Sequence, residues 1–413
     1  MRGEAMRRII SICLMLLVSA CGGGGGGGGD NLSNGSNTGS TANSVTMTVD
    51  SGPSGVQGAF NLPYVSVTVC APGSASNCQT VDHVLVDTGS TGLRILASAL
   101  NASVLAGLGS QQVNSRQVVE CMQFADGITW GPVKLADVKM AGKTASALPM
   151  QLISDPSYAT IPANCSSIGS DEGNLAGLEA NGIIGVSQAL QDCEINGNCA
   201  SNSANSLYYL CAGATSCVPG AVPVAQQVAN PVASFSGDNN GVLLQLPSLA
   251  ATGAASATGS LTFGIGTQSN NAVPGGAQAF LTTSASAFNI NTLYKGLSYS
   301  SFIDSGSNIL FFPDSSISTC VVSGSTWFCP ASQQNLSAVL SSGASSSTVS
   351  FSVISAQYLT STSYAAIPGI AAPASGVLAS QFDWGLPFFY GRSVFIGFTG
   401  RSNPLGNGPM YIF

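Results

Sequence analysis

The sequence predicts an all-β protein of two lobes related by an internal duplication, with few and short helices. Three observations predict it. Of 413 residues, 45% are apolar and only 7% charged. A helical bundle needs many more Glu, Lys and Arg on its outer faces, whereas strands joined by polar, hydroxyl-rich turns need few. From Val45 onward, short apolar or alternating runs are separated by Gly, Pro, Asn, Asp and Ser. Finally, an apolar run ending in Asp-Thr/Ser-Gly-Ser occurs twice, far apart. The chain is long enough to bury a core in each half.

The first twenty residues read as an export signal. Met6-Arg7-Arg8 is a basic start, and Ile9 to Val18 is an apolar stretch too short for a comfortable bilayer span. Val18-Ser19-Ala20-Cys21 resembles the bacterial lipobox, which implies that Cys21 carries lipid. Residues 21–44 follow as a tether: eight glycines, Gly22 to Gly29, then a Gly/Ser/Asn/Thr stretch that cannot bury a core. Gly22 after the cysteine resembles the outer-membrane sorting signal of Gram-negative bacteria. The expected place is therefore the cell envelope, with the bilayer as a partner through acylated Cys21.

The formal charge is −7. Residues 1–20 carry Arg2, Arg7, Arg8 and Glu4, a net +2, so the remainder stands at −9. Without a basic cluster there, nucleic acid is not an expected partner. The single histidine, His83, rules out His-rich zinc sites and routes any Ser-His-Asp triad through itself. A loop or strand histidine near Asp87 is the better reading of it.

Beyond Cys13 and Cys21, ten cysteines remain, an even number in an exported chain. Neighbours pair as Cys70/Cys78, Cys193/Cys199, Cys211/Cys217 and Cys320/Cys329, which leaves Cys121/Cys165. A thiolate metal site lacks both histidine partners and Cys-x-x-Cys spacing. No metal or cofactor is expected.

Strands are predicted at Val45–Val49, Val65–Val69, Val81–Val86, Val133–Met140, Leu243–Leu246, Leu261–Ile265, Ser301–Ile303 and Val394–Phe398. Short helices are expected at Ser187–Leu190, Gln333–Leu340 and Leu386–Tyr390. Residues 191–230, with four cysteines and no strong strand pattern, read as an insertion in a first lobe spanning 45–265. Ser248–Ser260 reads as a loop near the lobe boundary, and 266–413 forms the second lobe.

The repeated turn carries the chemistry. Gly89 and Gly306 allow a tight turn that presents Asp87 and Asp304 at strand ends. Thr88 and Ser305 offer short hydroxyls that can lock the turns together, and Ser90 and Ser307 can donate to the carboxylates. One such turn alone is an ordinary strand end; two, each behind an apolar strand, point to a pair. Carboxylates meeting at a pseudo-twofold seam share one proton. The charged member can take a proton from water while the protonated one polarises a carbonyl.

Val84-Leu85-Val86-Asp87-Thr88-Gly89-Ser90-Thr91-Gly92-Leu93 resembles the first active-site segment of the pepsin-like aspartic proteases, and Phe302–Leu310 the second. Asn181–Val186 and Trp384–Arg392 resemble the segments that thread beside the catalytic turns. Gly259–Gly264 is similar to the strand closing the first half. The resemblance implies a two-lobed pepsin-like fold, a catalytic pair Asp87 and Asp304, and a polypeptide substrate handled by a monomer. It also implies a hairpin flap at Gln123–Gly131, with Phe124, Asp126 and Gly127 over the cleft. There Phe124 replaces the usual Tyr, and Arg94 replaces the Trp that bonds it. An endopeptidase is the first expectation, because both Asp residues and all four flanking hydroxyls are present. A peptide-binding module without turnover is the second.

Overall fold

Alternation sets the architecture: in strand Pro63–Cys70, Val65, Val67 and Val69 point inward while Ser66 is exposed. The computed structural model describes residues 43–413 except 57, 195–198 and 204–205. The expected export signal, Cys21 and nearly all of the expected tether lie outside the described residues.

One strand connectivity occurs twice. Strand Cys78–Asp87 pairs in parallel with Gly182–Val186, which runs antiparallel to Thr91–Leu96, and that strand is parallel to Lys143–Ile153. In the second half Leu297–Ile303 pairs in parallel with Gln381–Trp384, which touches Leu310–Phe312 antiparallel, and that strand is parallel to Ala371–Pro373. The two halves join edge to edge in a row of antiparallel strands. Its order is Ser44–Val49, Ala257–Phe263, Gly241–Gln245, Ser393–Gly397, Met410–Ile412 and Ala279–Leu281. Three strands come from each half, so the pseudo-twofold axis passes between Gly241–Gln245 and Ser393–Gly397. This is the two-lobed, pepsin-like arrangement.

A single buried cluster runs through the seam, holding Val84, Val86, Val242, Leu244, Leu261, Ile303, Trp384, Val394 and Ile396. In the second half it is aromatic. Trp384 stacks on Phe382 at 4.3 Å between centroids, meets Phe351 edge-on, and donates Nε1–H to Thr292 Oγ1 at 3.0 Å.

Disulfides link Cys70–Cys78, Cys193–Cys199, Cys211–Cys217 and Cys320–Cys329, the near neighbours in sequence, and Cys121–Cys165, the pair left over, 44 residues apart.

Four expectations change. Gln333–Leu340 is no helix: Gln334–Ser342 is a strand in a hairpin with Ser345–Val353. Ala338 and Leu340 are buried with Ser337 exposed between the inward positions, a period of two. Ser187–Leu190 is a bent stretch tied to the first Asp turn, with Ser187 N–H donating to Ser90 O. Ser248–Ser260 is loop only in part, because residues 257–260 belong to the strand that pairs with Ser44–Val49. The 191–230 segment contains its own hairpin, Tyr208–Cys211 with Cys217–Pro219, laid on Arg116–Gln123. Leu386–Phe389 is a single short 3-10 turn, helical as expected.

Candidate active site

Asp87 ends its strand, and the turn after it wraps the carboxyl in donors. Asp87 Oδ1 accepts from Gly89 N–H at 2.7 Å and Ser90 N–H at 3.2 Å, and Oδ2 accepts from Ser90 Oγ at 2.5 Å. Asp304 is held alike: Oδ1 accepts from Gly306 N–H at 2.8 Å and Oδ2 from Ser307 Oγ at 2.9 Å. Its own N–H donates to Trp384 O at 3.0 Å.

The turns are bolted to each other. Thr88 Oγ1 donates to Ile303 O at 2.9 Å and accepts from Ser305 N–H at 2.9 Å. In mirror fashion Ser305 Oγ donates to Val86 O at 2.7 Å and accepts from Thr88 N–H at 3.1 Å. All four bonds cross between the halves and are buried.

Glycine is required where the turns meet. A β-carbon on Gly89 would sit 2.7 Å from the Asp304 carboxyl carbon, and one on Gly306 would sit 2.6 Å from Asp87 Oδ1. Each glycine thus faces the opposite carboxyl. Gly89 is exposed and Asp304 and Gly306 partly so, which leaves the pair open to solvent on one side.

Although part of the Asp304 residue surface is open, desolvation of its carboxyl pushes it well above the usual carboxylate range. The adjacent Asp87 and Asp383 carboxyls push it the same way, and the Ser307 hydrogen bond works against them. The pair therefore holds on to a shared proton. A proton-holding carboxyl beside a second carboxyl can deliver and take a proton within one site.

The sequence matches, over residues 39–413, the family model described as Protein of unknown function (DUF3443). The chain belongs to the DUF3443 family. No curated protein matches it. Among solved structures it is similar to the crystal structure of aspartic proteinase from Irpex lacteus. The identity is 15% and the TM-score 0.49, over 89% of this chain and 96% of that one.

Around the pair, this DUF3443 chain departs from several expectations. The hairpin of Arg116–Gln123 and Ile128–Met140 turns at 124–127, where Phe124 N–H donates to Gly127 O at 2.8 Å. Phe124 is half-buried against a cluster that includes Tyr64, Leu85 and Ile183. Gly127 is buried against Ser170 and Glu172 rather than open over a cleft. Arg94 is not a substrate-facing residue, because it is fully buried. Its Nη2 bonds Glu120 Oε1 at 2.7 Å and Asp192 Oδ2 at 3.0 Å, and its Nη1 bonds Thr91 O at 2.6 Å. Tyr208 donates to Asp192 Oδ1 at 2.5 Å. Burial, then Glu120, pushes Asp192 well above the usual range, with Arg94 opposing. The guanidinium thus ties the first Asp turn to the hairpin and to the 191–230 segment. His83 faces Asp50 and Asp82, at 3.4 and 3.2 Å, and is no base for the pair.

Three polar groups around the pair escaped the sequence. Asp383 lies behind Asp304, bonded to Ser307 Oγ at 2.7 Å. The Tyr411 phenol, pushed up to about 12 by burial, stays neutral beside Asp304 and Asp383. Asn61 is fully buried. It bonds Asn308 O and Ile367 O at 2.8 Å each and accepts from Tyr390 at 2.8 Å, pinning the first half to the second. Of these, Asp383 alone had a signal: a carboxylate inside an otherwise apolar run, Phe382-Asp383-Trp384.

Proposed function

We propose that this protein is an extracytoplasmic aspartic endopeptidase, tethered by lipid on Cys21 to the bacterial outer membrane. It hydrolyses polypeptides with a water activated between Asp87 and Asp304. The observation that carries the reading is the cross-bolted pair of turns, in which each glycine faces the other half's carboxyl. Such bolting holds two like-charged groups together despite their repulsion, and a merely structural seam gains nothing from that. The protonated member of the pair polarises the scissile carbonyl, and the ionised member takes the proton from water. No covalent intermediate is needed. The body acts as a monomer.

The test is cleavage of an unfolded protein across pH, with and without a statine-type transition-state analogue. Acid-side cleavage blocked by the analogue supports the reading, and its absence at every pH overturns it. A peptide-binding module without turnover is the second reading. What favours it is Phe124, half-buried with no phenol at the hairpin turn. Peptide capture without cleavage at any pH would establish it. Release of a Cys21→Ser variant from membranes, still folded, tests the anchor.

A further inference from the structure

The two halves are alike at their turns and unlike in one side chain behind them. In the first half Ile183 lies opposite Leu85. At the corresponding register of the second half Asp383 lies opposite Phe302. Ile183 is a buried apolar residue; Asp383 is a carboxyl only 1% exposed. Its Oδ2 lies 2.7 Å from Ser307 Oγ, and the same Oγ lies 2.9 Å from Asp304 Oδ2. Its Oδ1 has no hydrogen-bond partner among the described residues.

A serine hydroxyl carries one proton, so Ser307 can donate to one carboxyl and not to both. Were both ionised, the second contact would set lone pair against lone pair in a dry site. One of the two must donate to Ser307. Asp304 has a second donor in Gly306 N–H and a partly open surface. Asp383 has neither, so charge is better borne at Asp304 and the proton at Asp383.

We propose that Asp383 is a positioning residue for the carboxyl pair: it stays protonated, donates to Ser307 Oγ, and so aims the Ser307 hydroxyl at Asp304 Oδ2. As a device of the active site, this rests on the hydrolytic reading above. The titratable groups that face Asp383 are Asp304 and Asp87 at the turns and the Tyr411 phenol from strand Met410–Ile412. None is cationic, so nothing there favours a second anion. Burial pushes Asp383 up to about 8, against the Ser307 hydrogen bond. The first half has no such group: Ser90 bonds Asp87 directly, with Ile183 behind. Asp383 thereby makes the two halves of a near-symmetric pair unequal, with the relayed donor on Asp304. A hydroxyl that accepts a hydrogen bond donates a stronger one, so the ionised form of Asp304 is easier to reach during turnover.

The experiment compares full-length wild type, Asp383→Asn and Asp383→Ile. The Asn amide keeps a neutral donor toward Ser307; the Ile copies the first half. In protein labelled with carbon-13 at the Asp carboxyls, the resonance lost in Asp383→Asn should stay in its protonated position through neutral pH. It should titrate only near pH ~8. In activity, Asp383→Asn should keep both limbs of the pH profile. Asp383→Ile should move the acid limb upward by about one unit, which reads as about a tenfold loss of kcat/KM on that side. Titration of Asp383 in the ordinary carboxylate range would overturn the proposal, as would an equal limb shift in both variants. If no variant nor wild type cleaves peptide but the Asp383 carboxyl stays protonated, the hydrolytic reading fails while the proton relay stands. Should Asp383→Ile not fold, the carbon titration decides.

Discussion

Asp87 and Asp304 sit in unlike surroundings, although their turns are copies. Asn at either position is nearly isosteric and relieves like-charge repulsion, but it breaks the proton sharing. Asp87→Asn and Asp304→Asn should each lower peptide hydrolysis by at least about 100-fold, with circular dichroism and melting unchanged or improved. Hydrolysis that survives both changes would exclude the pair. The bolt is a separate matter, of stability. Thr88→Val keeps the volume but removes a donor to Ile303 O and an acceptor for Ser305 N–H, both buried. It should cost about 1–3 kcal/mol, read from the denaturant midpoint. Arg94 is more sensitive still. Arg94→Met leaves Glu120 without its counter-charge and Asp192 Oδ2 without its donor in a dry site. A loss of about 3–5 kcal/mol is expected. A Met variant as stable as wild type would contradict this expectation.

At the scale of elements, the instructive case is Gln334–Ser342. Its run of Leu, Ala and Val beside Gln and Asn has helix formers, and the sequence suggested a helix. The chain is a strand because Ser345–Val353 lies across a tight turn and supplies nine backbone-paired positions, while Ala338 and Leu340 share one face. Propensity is a weak prior against that pairing. The strand assignment makes a positional prediction. Leu340→Ala should cost about 2–5 kcal/mol, whereas Ser337→Ala should change the midpoint by less than about 0.5 kcal/mol. Comparable losses at both positions would argue against the two-faced strand.

Across the whole molecule, the direction of the pKa shifts sets how stability responds to pH. Asp304, Asp383 and Asp192 are raised by burial. Folded protein therefore binds protons that unfolded chain has released. Their contribution is complete below the ordinary carboxylate range and is lost as pH climbs, for Asp383 up to about 8. Asp314 runs the other way. Burial raises it, but hydrogen bonds from Lys295, Tyr294 and Ser316 outweigh this and hold it down to about 2. Its contribution is present above the ordinary range and fades as pH falls toward that value. The melting temperature should therefore peak on the acid side, near pH ~4–5, and decline toward pH ~8. Asp383→Asn should flatten the decline. A melting temperature that rises steadily from acid to neutral pH would contradict these directions.

The duplication, the all-β class and the residues of the two turns were legible in the chain, because each depends on local pattern. Period-two alternation marks strands, and Asp-Thr/Ser-Gly-Ser after an apolar run marks a turn wherever it stands. The near-neighbour disulfides were legible for the same reason, since their partners are close in sequence. What the folded molecule decided is which distant groups meet. Nothing near Arg94 announces that Glu120 and Asp192 will close on it, so its expected place at the cleft was wrong. Nothing near Ser307 announces Asp383, 76 residues on. Pairing across the sheet brings those groups within hydrogen-bond reach, and desolvation there, absent from any stretch of sequence, gives an ordinary aspartate a proton to hold.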